Sequence, residues 1–314
     1  MLYDYENKDD TRKSLKIVNT CYISRSSHNI ELVTEPSNDS LLKLNLDSGN
    51  FSISSLSHPI WQVIRNPRNT LTPKFFSLKQ GTVIKLGRLQ FEVKALKNKE
   101  DYLQDVEAKR ISDPSQMCRV CFVEDLPDNP LISICKCSGS IQNLHVRCLQ
   151  SWILSKISTN GENPLMKYLR SIHCELCREK LPFIVKVEGE LYDMLQGHKL
   201  KVPYLILEGI QSEQREPGVY FISFAEKDNV MLGRGHDSDV RIPDISVSRC
   251  HAKISFVDNE FVIEDNNSKF GTLVKLPSPF VIESKTAVQC GRTILEFSKN
   301  PIAKDEKFEW ELGG

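Results

Sequence analysis

Seven cysteines and a histidine crowd into the sixty residues between positions 118 and 177, and no other feature limits the fold so tightly. In order they are Cys118, Cys121, Cys135, Cys137, His145, Cys148, Cys174 and Cys177; of the ten cysteines only Cys21, Cys250 and Cys290 lie outside. A two-residue gap, as in the first pair, the last pair and His145/Cys148, lets both side chains turn toward one ion. Eight soft or borderline ligands make two tetrahedral sites, and thiolate-rich tetrahedra favour zinc. A disulfide knot needs an oxidising compartment, a reactive thiol needs no seven companions, and one iron–sulfur cluster leaves four ligands unused. His173 adjoins Cys174 and competes with it by position, but the intact Cys-x-x-Cys at 174–177 argues against that choice. Two structural zinc ions are therefore expected. His145 and Cys148 are spaced like residues on the first turn of a helix that continues as LQSWILSKI, with Leu149, Trp152, Ile153 and Ile157 on one apolar face.

The 314 residues leave room for two or three domains with substantial cores. Lys plus Arg (41) equals Asp plus Glu (41), so no global field favours nucleic acid or a membrane surface. No basic, aromatic-rich stretch supports nucleic-acid binding. No apolar run approaches the roughly 18 residues that span a bilayer, so membrane insertion is not expected. The opening MLYDYENKDD lacks the basic and apolar parts of a secretory signal, and the expected location is the cytoplasm.

Around the cysteine segment (115–184) the pattern changes to short strands. Residues 14–97 contain LLKLNL, FSISSL, IWQVIR, KFFSL and TVIKLG, each bounded by Ser, Asn, Pro or Gly. A charged linker with partial helical character follows at 98–114. Residues 203–300 return to strands in YLILEG, VYFISF, HAKISF, FVIED, GTLV, FVIES and RTILEF. The fold class expected is mainly β with a small α+β zinc domain, two β-sandwiches flanking that domain. The sandwich segments also echo each other: TVIKLGRLQFEVK (82–94) matches TAVQCGRTILEFSK (286–299) after one gap, around a Gly-Arg in each.

The ligand order, four Cys, then His, then three Cys, resembles two families, PHD fingers and RING-CH (variant RING) domains. A PHD finger carries a tryptophan where this chain has Ile172. The RING-CH pattern is matched by CKCSGS, by seven residues from Ser138 to Leu144 before the histidine, by CLQSW, and by CELC. That resemblance implies a cross-braced pair of sites, with Cys118, Cys121, His145 and Cys148 on one zinc and Cys135, Cys137, Cys174 and Cys177 on the other. It also implies a ubiquitin ligase that orders a charged ubiquitin-conjugating enzyme rather than using a nucleophile of its own. Carried over by position, Val120 and Trp152 form an apolar docking groove, and Arg178 takes the place of the cation that clamps ubiquitin. The bland reading is that Val120 and Trp152 cover the zinc core and Arg178 is a surface charge.

A second constellation, GRGHDSDVRIPDISVSRCHAKI followed by EDNNSKFGT, resembles the forkhead-associated (FHA) domain, a sandwich whose apical loops bind phosphothreonine. Gly233 and Arg234, Ser248 and His251, and Ser268, Gly271 and Thr272 supply its three elements. The resemblance implies that Arg234 and Ser248 contact phosphate and that His251 braces the loops. Arg249 and Lys269 add positive potential at the apex, while Asp237 and Asp239 oppose it. Phe270 stands where the family has an asparagine that contacts the peptide backbone. The N-terminal segment resembles a degenerate FHA-like sandwich: its Gly87 and Arg88 match Gly291 and Arg292 rather than Arg234. The order of the modules resembles that in ciliate and other protist proteins.

Two function classes follow. In the first, the zinc domain recruits a ubiquitin-conjugating enzyme and the FHA-like domain a phosphothreonine partner. In the second, the chain is a structural or adaptor subunit of a larger assembly such as a ciliary axoneme. A zinc enzyme is a poor third class, because eight ligands close both sites.

Overall fold

The computed structural model describes residues 3–4, 15–17, 19–25, 30–47, 50–64, 75–97, 105–158, 166–169, 173–194, 201–210, 218–282, 286–300 and 309–313. The architecture is mainly β with a small α+β zinc region, as the strand pattern implies. Among the described residues no helix is long and apolar enough to cross a membrane.

Two five-stranded sheets each pack against part of one long sheet. One small sheet comprises Cys21–Arg25, Ile30–Val33, Ser40–Asp47, Asn50–Ser55 and Phe280–Ile282. The other comprises Phe76–Ser77, Asn229–Gly233, Val240–Arg241, Ala252–Val257 and Glu260–Asp265. Alternation along these strands sends one face inward. Ile23, Leu42, Leu44, Phe51 and Ile53 fill the first core, and Val230, Leu232, Ala252, Ile254 and Ile263 the second.

The long sheet shows that the two sequence segments exchange their closing hairpins. Val83–Leu86 and Leu89–Lys97, from the N-terminal half, pair with Thr272–Lys275 and Tyr204–Gly209 and bury Ile84, Leu86, Phe91 and Val93 in the second core. Reciprocally, Thr286–Cys290 pairs with Ile60–Ile64, and Val288, Leu295 and Phe297 enter the first core. The echoing motifs are these two hairpins. Each turns at a glycine with left-handed φ, 61° at Gly87 and 57° at Gly291, in the first position of a two-residue turn. The crossing strands lie side by side: Ile60–Ile64 is antiparallel to Thr272–Lys275, with Ile60 in the first core and Ile64 in the second.

The zinc region packs on the outer face of the same long sheet. Along Tyr204–Gly209 and Val219–Ser223, Leu205, Leu207, Tyr220 and Ile222 face the second sandwich, whereas Ile206, Val219 and Phe221 face the zinc region. Burial on both faces explains why these strands read as unbroken apolar runs. Met166–Leu169, from the stretch between the sixth and seventh ligands, extends this sheet by pairing with Val219–Ile222.

Three local expectations are corrected. The linker does not supply a helix within its described part: Asp105–Glu107 is a strand parallel to Ile184–Lys186, while 98–104 lies outside the described residues. The helix is Val146–Lys156, so His145 precedes it, at the end of Leu144–His145. Ile157 leaves the helix to pair with Leu169.

Candidate metal centre and apical loops

Two turns of the same design carry the paired cysteines. In the first, Phe122 N–H donates to the Cys118 carbonyl (2.9 Å) and Cys118 N–H to the Val123 carbonyl (2.9 Å). In the second, Arg178 N–H donates to the Cys174 carbonyl (3.0 Å) and Cys174 N–H to the Glu179 carbonyl (2.8 Å). Phe122 and Arg178 are therefore equivalent, and both take a left-handed φ, 59° and 61°. Such a turn aims both sulfurs of a Cys-x-x-Cys at one point. His145 arrives from the Leu131–Ile132/Leu144–His145 hairpin, and Cys148 from the first turn of the helix. That helix start is satisfied by the Pro130 carbonyl, which accepts from Val146 N–H, and by Asn129 Oδ1, which accepts from Arg147 N–H (2.9 Å).

The ligand atoms gather in two sets. Cys118, Cys121, His145 and Cys148 form one, and Cys135, Cys137, Cys174 and Cys177 the other, with the atoms of each within 4.8 Å of one another. The sets interleave in sequence, first and third pairs against second and fourth, which is the cross-brace expected. His173 is in neither; it forms a bridge with Lys180. His145 Nε2 lies 2.9 Å from the Glu124 carbonyl, to which it donates in the tautomer that turns Nδ1, 3.2 Å from Cys121 Sγ, into the first set. These donor sets fit two zinc ions.

The electrostatics agree with that assignment. Burial pushes the Cys174 thiol up, but backbone N–H groups of Cys177 and Leu176 and the Arg119 guanidinium outweigh it and hold the thiol at about 6. At Cys118 burial likewise pushes the thiol up, but backbone N–H groups of His145, Cys121 and Val120 outweigh it and bring the thiol down to about 7. Cys135 and Cys148 are instead driven up to about 12, by burial first and then by neighbouring thiols. A divalent cation relieves this mutual repulsion.

Arg119 is the residue that the ligand pattern does not announce. It follows the first ligand of one set, yet its guanidinium reaches the other set, 3.7 Å from both Cys137 Sγ and Cys174 Sγ, and also donates to the Ile141 carbonyl. Four thiolates around a divalent cation leave excess negative charge, and Arg119 offsets it. Asking which cation balances an all-cysteine site is the signal that finds it.

The three carried-over docking residues sit on the outside of this centre. Val120 is 50% exposed, in the first turn, with Leu176, 59% exposed, at the corresponding place in the second. Trp152 rests partly on the zinc core, with Lys156 Nζ 5.3 Å above its ring. Lys156 Nζ also donates to Glu175, next to Cys174 (2.6 Å), so the helix and the Arg178-bearing turn are tied together. The Arg178 side chain is exposed.

At the apex of the second sandwich, three loops are stitched around Ser248. Its carbonyl accepts from Arg234 N–H (3.0 Å), its N–H donates to His251 Nδ1 (3.0 Å), and its hydroxyl oxygen accepts from Lys269 N–H (3.0 Å). That hydroxyl still carries one hydrogen of its own to donate. His251 is fully buried and reaches the Gly271 carbonyl through Nε2 (3.2 Å); burial lowers its pKa, so it is a neutral brace. Gly233 has to be glycine, since a Cβ there would lie 2.0 Å from the Arg249 carbonyl oxygen. Ser268 and Thr272 both bond the buried Asp265 carboxylate and shape their turn. The side chains of Arg234, Arg249, Lys269 and Phe270 are exposed at this apex, with Lys269 Nζ 5.3 Å from the Phe270 ring. Asp239 pairs with Lys227 (2.7 Å), which reduces its opposition to an anion.

Comparison with known proteins agrees with both modules. Residues 118–177 match the RING-variant domain family, and residues 230–291 the FHA domain family. The FHA match runs on in sequence through Thr286–Cys290, the strand that in space pairs with Ile60–Ile64. Similar proteins include the ERAD-associated E3 ubiquitin-protein ligase DOA10 of Saccharomyces cerevisiae, 34% identical over 127 residues, which cover 37% of this chain and 9% of that protein. They include the E3 ubiquitin-protein ligase MARCHF7 of Pongo abelii, 26% identical over 146 residues (44% of this chain, 18% of that protein). They also include the human E3 ubiquitin-protein ligase MARCHF6, 36% identical over 67 residues (21% of this chain, 6% of that protein). The chain thus matches less than a fifth of the length of each of these relatives. It carries a RING-variant domain and an FHA domain, with distant similarity to the MARCH and DOA10 ligases.

Proposed function

We propose that the chain is a ubiquitin ligase whose zinc domain recruits a charged ubiquitin-conjugating enzyme and whose FHA domain recruits a phosphothreonine protein. The observation that carries this reading is the pair of interleaved ligand sets beneath exposed apolar side chains on both cysteine turns, Val120 and Leu176. Both sites are closed by protein ligands, so the ions act as scaffold. The work is positioning. Val120 and Trp152 hold the conjugating enzyme, and the Arg178 fork bonds carbonyls on that enzyme and on ubiquitin, narrowing the motions of the thioester. A lysine amine then attacks the thioester carbonyl, the carbon–sulfur bond breaks, and the enzyme's thiol leaves as the isopeptide forms. An autoubiquitination assay across a panel of conjugating enzymes tests this. Trp152→Ala or Val120→Ala weakens docking, whereas Arg178→Ala slows discharge with a smaller effect on binding; wild-type transfer by all three variants contradicts the assignment.

Arg234 and Ser248 are the phosphate donors in this reading, with Arg249 and Lys269 adding positive potential. A hydrogen bond to a charged group contributes roughly 1.5–3 kcal/mol, so Arg234→Ala lowers affinity for a phosphothreonine peptide about tenfold or more. Phe270 cannot bond a peptide backbone as asparagine does, and Phe270→Asn tightens or sharpens binding. Titration of the full chain with an oriented phosphothreonine library measures both; no binding to either form removes the phosphate function. Phe270 also favours the second reading, in which the two modules are interaction blocks of an adaptor within a larger assembly.

A further inference from the structure

The phosphate-facing loop of the second sandwich is held from outside its own segment of the sequence. Asp244, four residues before Ser248, is a carboxylate whose side chain is only 1% exposed. Its Oδ1 accepts from Ser246 N–H (2.8 Å) and Ser246 Oγ (2.7 Å). Its Oδ2 accepts from Arg88 Nε (3.1 Å) and Nη2 (3.0 Å), and Arg88 stands at the turn of the exchanged N-terminal hairpin. The same turn is seated by its backbone. Arg88 N–H donates to Ser246 Oγ (3.0 Å), and a Cβ on Gly87 would lie 2.4 Å from the Ser246 carbonyl oxygen. The connection onward to Ser248 is short: Val247 N–H donates to the Asp244 carbonyl (3.0 Å), and the Val247 side chain is buried in the core.

We infer that Arg88 is a positioning residue for the phosphate loop, so that the N-terminal half of the chain sets the affinity of the C-terminal module. A buried carboxylate requires compensating positive charge, and Arg88 brings such charge through two converging bonds to one oxygen. Without them Asp244 loses two guanidinium hydrogen bonds, and the turn that presents Ser248 loses one wall. Arg88 is itself 53% exposed, so its removal opens no core cavity. As an inference about affinity this rests on the phosphothreonine reading; as an inference about loop order it does not.

The test uses the full chain as wild type, Arg88→Ala and Arg88→Lys, read by amide hydrogen exchange and by titration with the phosphothreonine library. In Arg88→Ala, exchange of the peptide spanning 242–249 accelerates about tenfold or more, while zinc-domain peptides are unchanged. Affinity falls about five- to tenfold, and Arg88→Lys, which keeps the charge but not the fork, lies between. Unaltered exchange overturns the brace, and faster exchange with unaltered affinity overturns its role in positioning. If the wild type binds no phosphothreonine peptide, the phosphate reading fails, and the exchange comparison alone upholds or overturns the brace.

Discussion

Cys135→Ser is expected to cost the chain one zinc ion and the folded state of residues 118–177. A structural zinc site supplies about 10–16 kcal/mol of apparent binding energy in small domains, comparable to the whole stability of an ordinary domain. Little else is available to replace it. Among its described residues the region has one α-helix of 11 residues, a single 3-10 turn at Gly139–Gln142, and strands of two to four residues. Loss of the second site also leaves the Arg119 guanidinium beside Cys137 and Cys174 without the charge it offsets. The damage extends to the sheet, because Ile206, Val219 and Phe221 lose their cover. Native mass spectrometry counts two zinc ions in the wild type and fewer in the variant, and proteolysis locates the opened segment. Two zinc ions in Cys135→Ser, or a folded wild type with one, contradict the assignment.

The fragment 203–300 is expected not to fold on its own. It lacks Leu78, Ile84, Leu86, Phe91 and Val93, all buried in the second core. Fully burying one such side chain contributes about 1.5–3 kcal/mol, so five contribute on the order of 10 kcal/mol. That is the scale of a domain's net stability. A peptide spanning 75–97, added in trans, restores structure; in the full chain Phe91→Ala lowers stability by about 3–5 kcal/mol. Circular dichroism and thermal unfolding measure both. A fragment that folds alone, closed by its own 286–300 hairpin, contradicts the exchange.

The metal centre was legible because ligand chemistry is local: residue type and a two-residue gap already define a turn that points two sulfurs at one ion. The apical loops were legible for a similar reason, with Ser248 and His251 three residues apart and bonded through Ser248 N–H. The hairpin exchange was not. The repeat between 82–94 and 286–299 identifies two equivalent hairpins, but either fits the period-2 demands of either sandwich. What distinguishes them are contacts at long range, Arg88 on Asp244 for one and Arg25 Nη1 on Thr293 Oγ1 (2.9 Å) for the other. Strands 204–209 and 219–223 carry the same lesson. Their unbroken apolar runs signal burial on both faces without saying that the second face belongs to the zinc region. Arg119 was hidden because its partners are 18 and 55 residues away.

At the centre of the proposed function is the ordering of a charged conjugating enzyme by the zinc domain for ubiquitin transfer. Its most direct test is single-turnover discharge of thioester-linked ubiquitin to free lysine, by the full chain, across a panel of conjugating enzymes. At least one enzyme is expected to discharge faster with the wild type, and Trp152→Ala, Arg178→Ala and zinc chelation are each expected to remove the acceleration. A folded chain holding two zinc ions that accelerates none of them contradicts it.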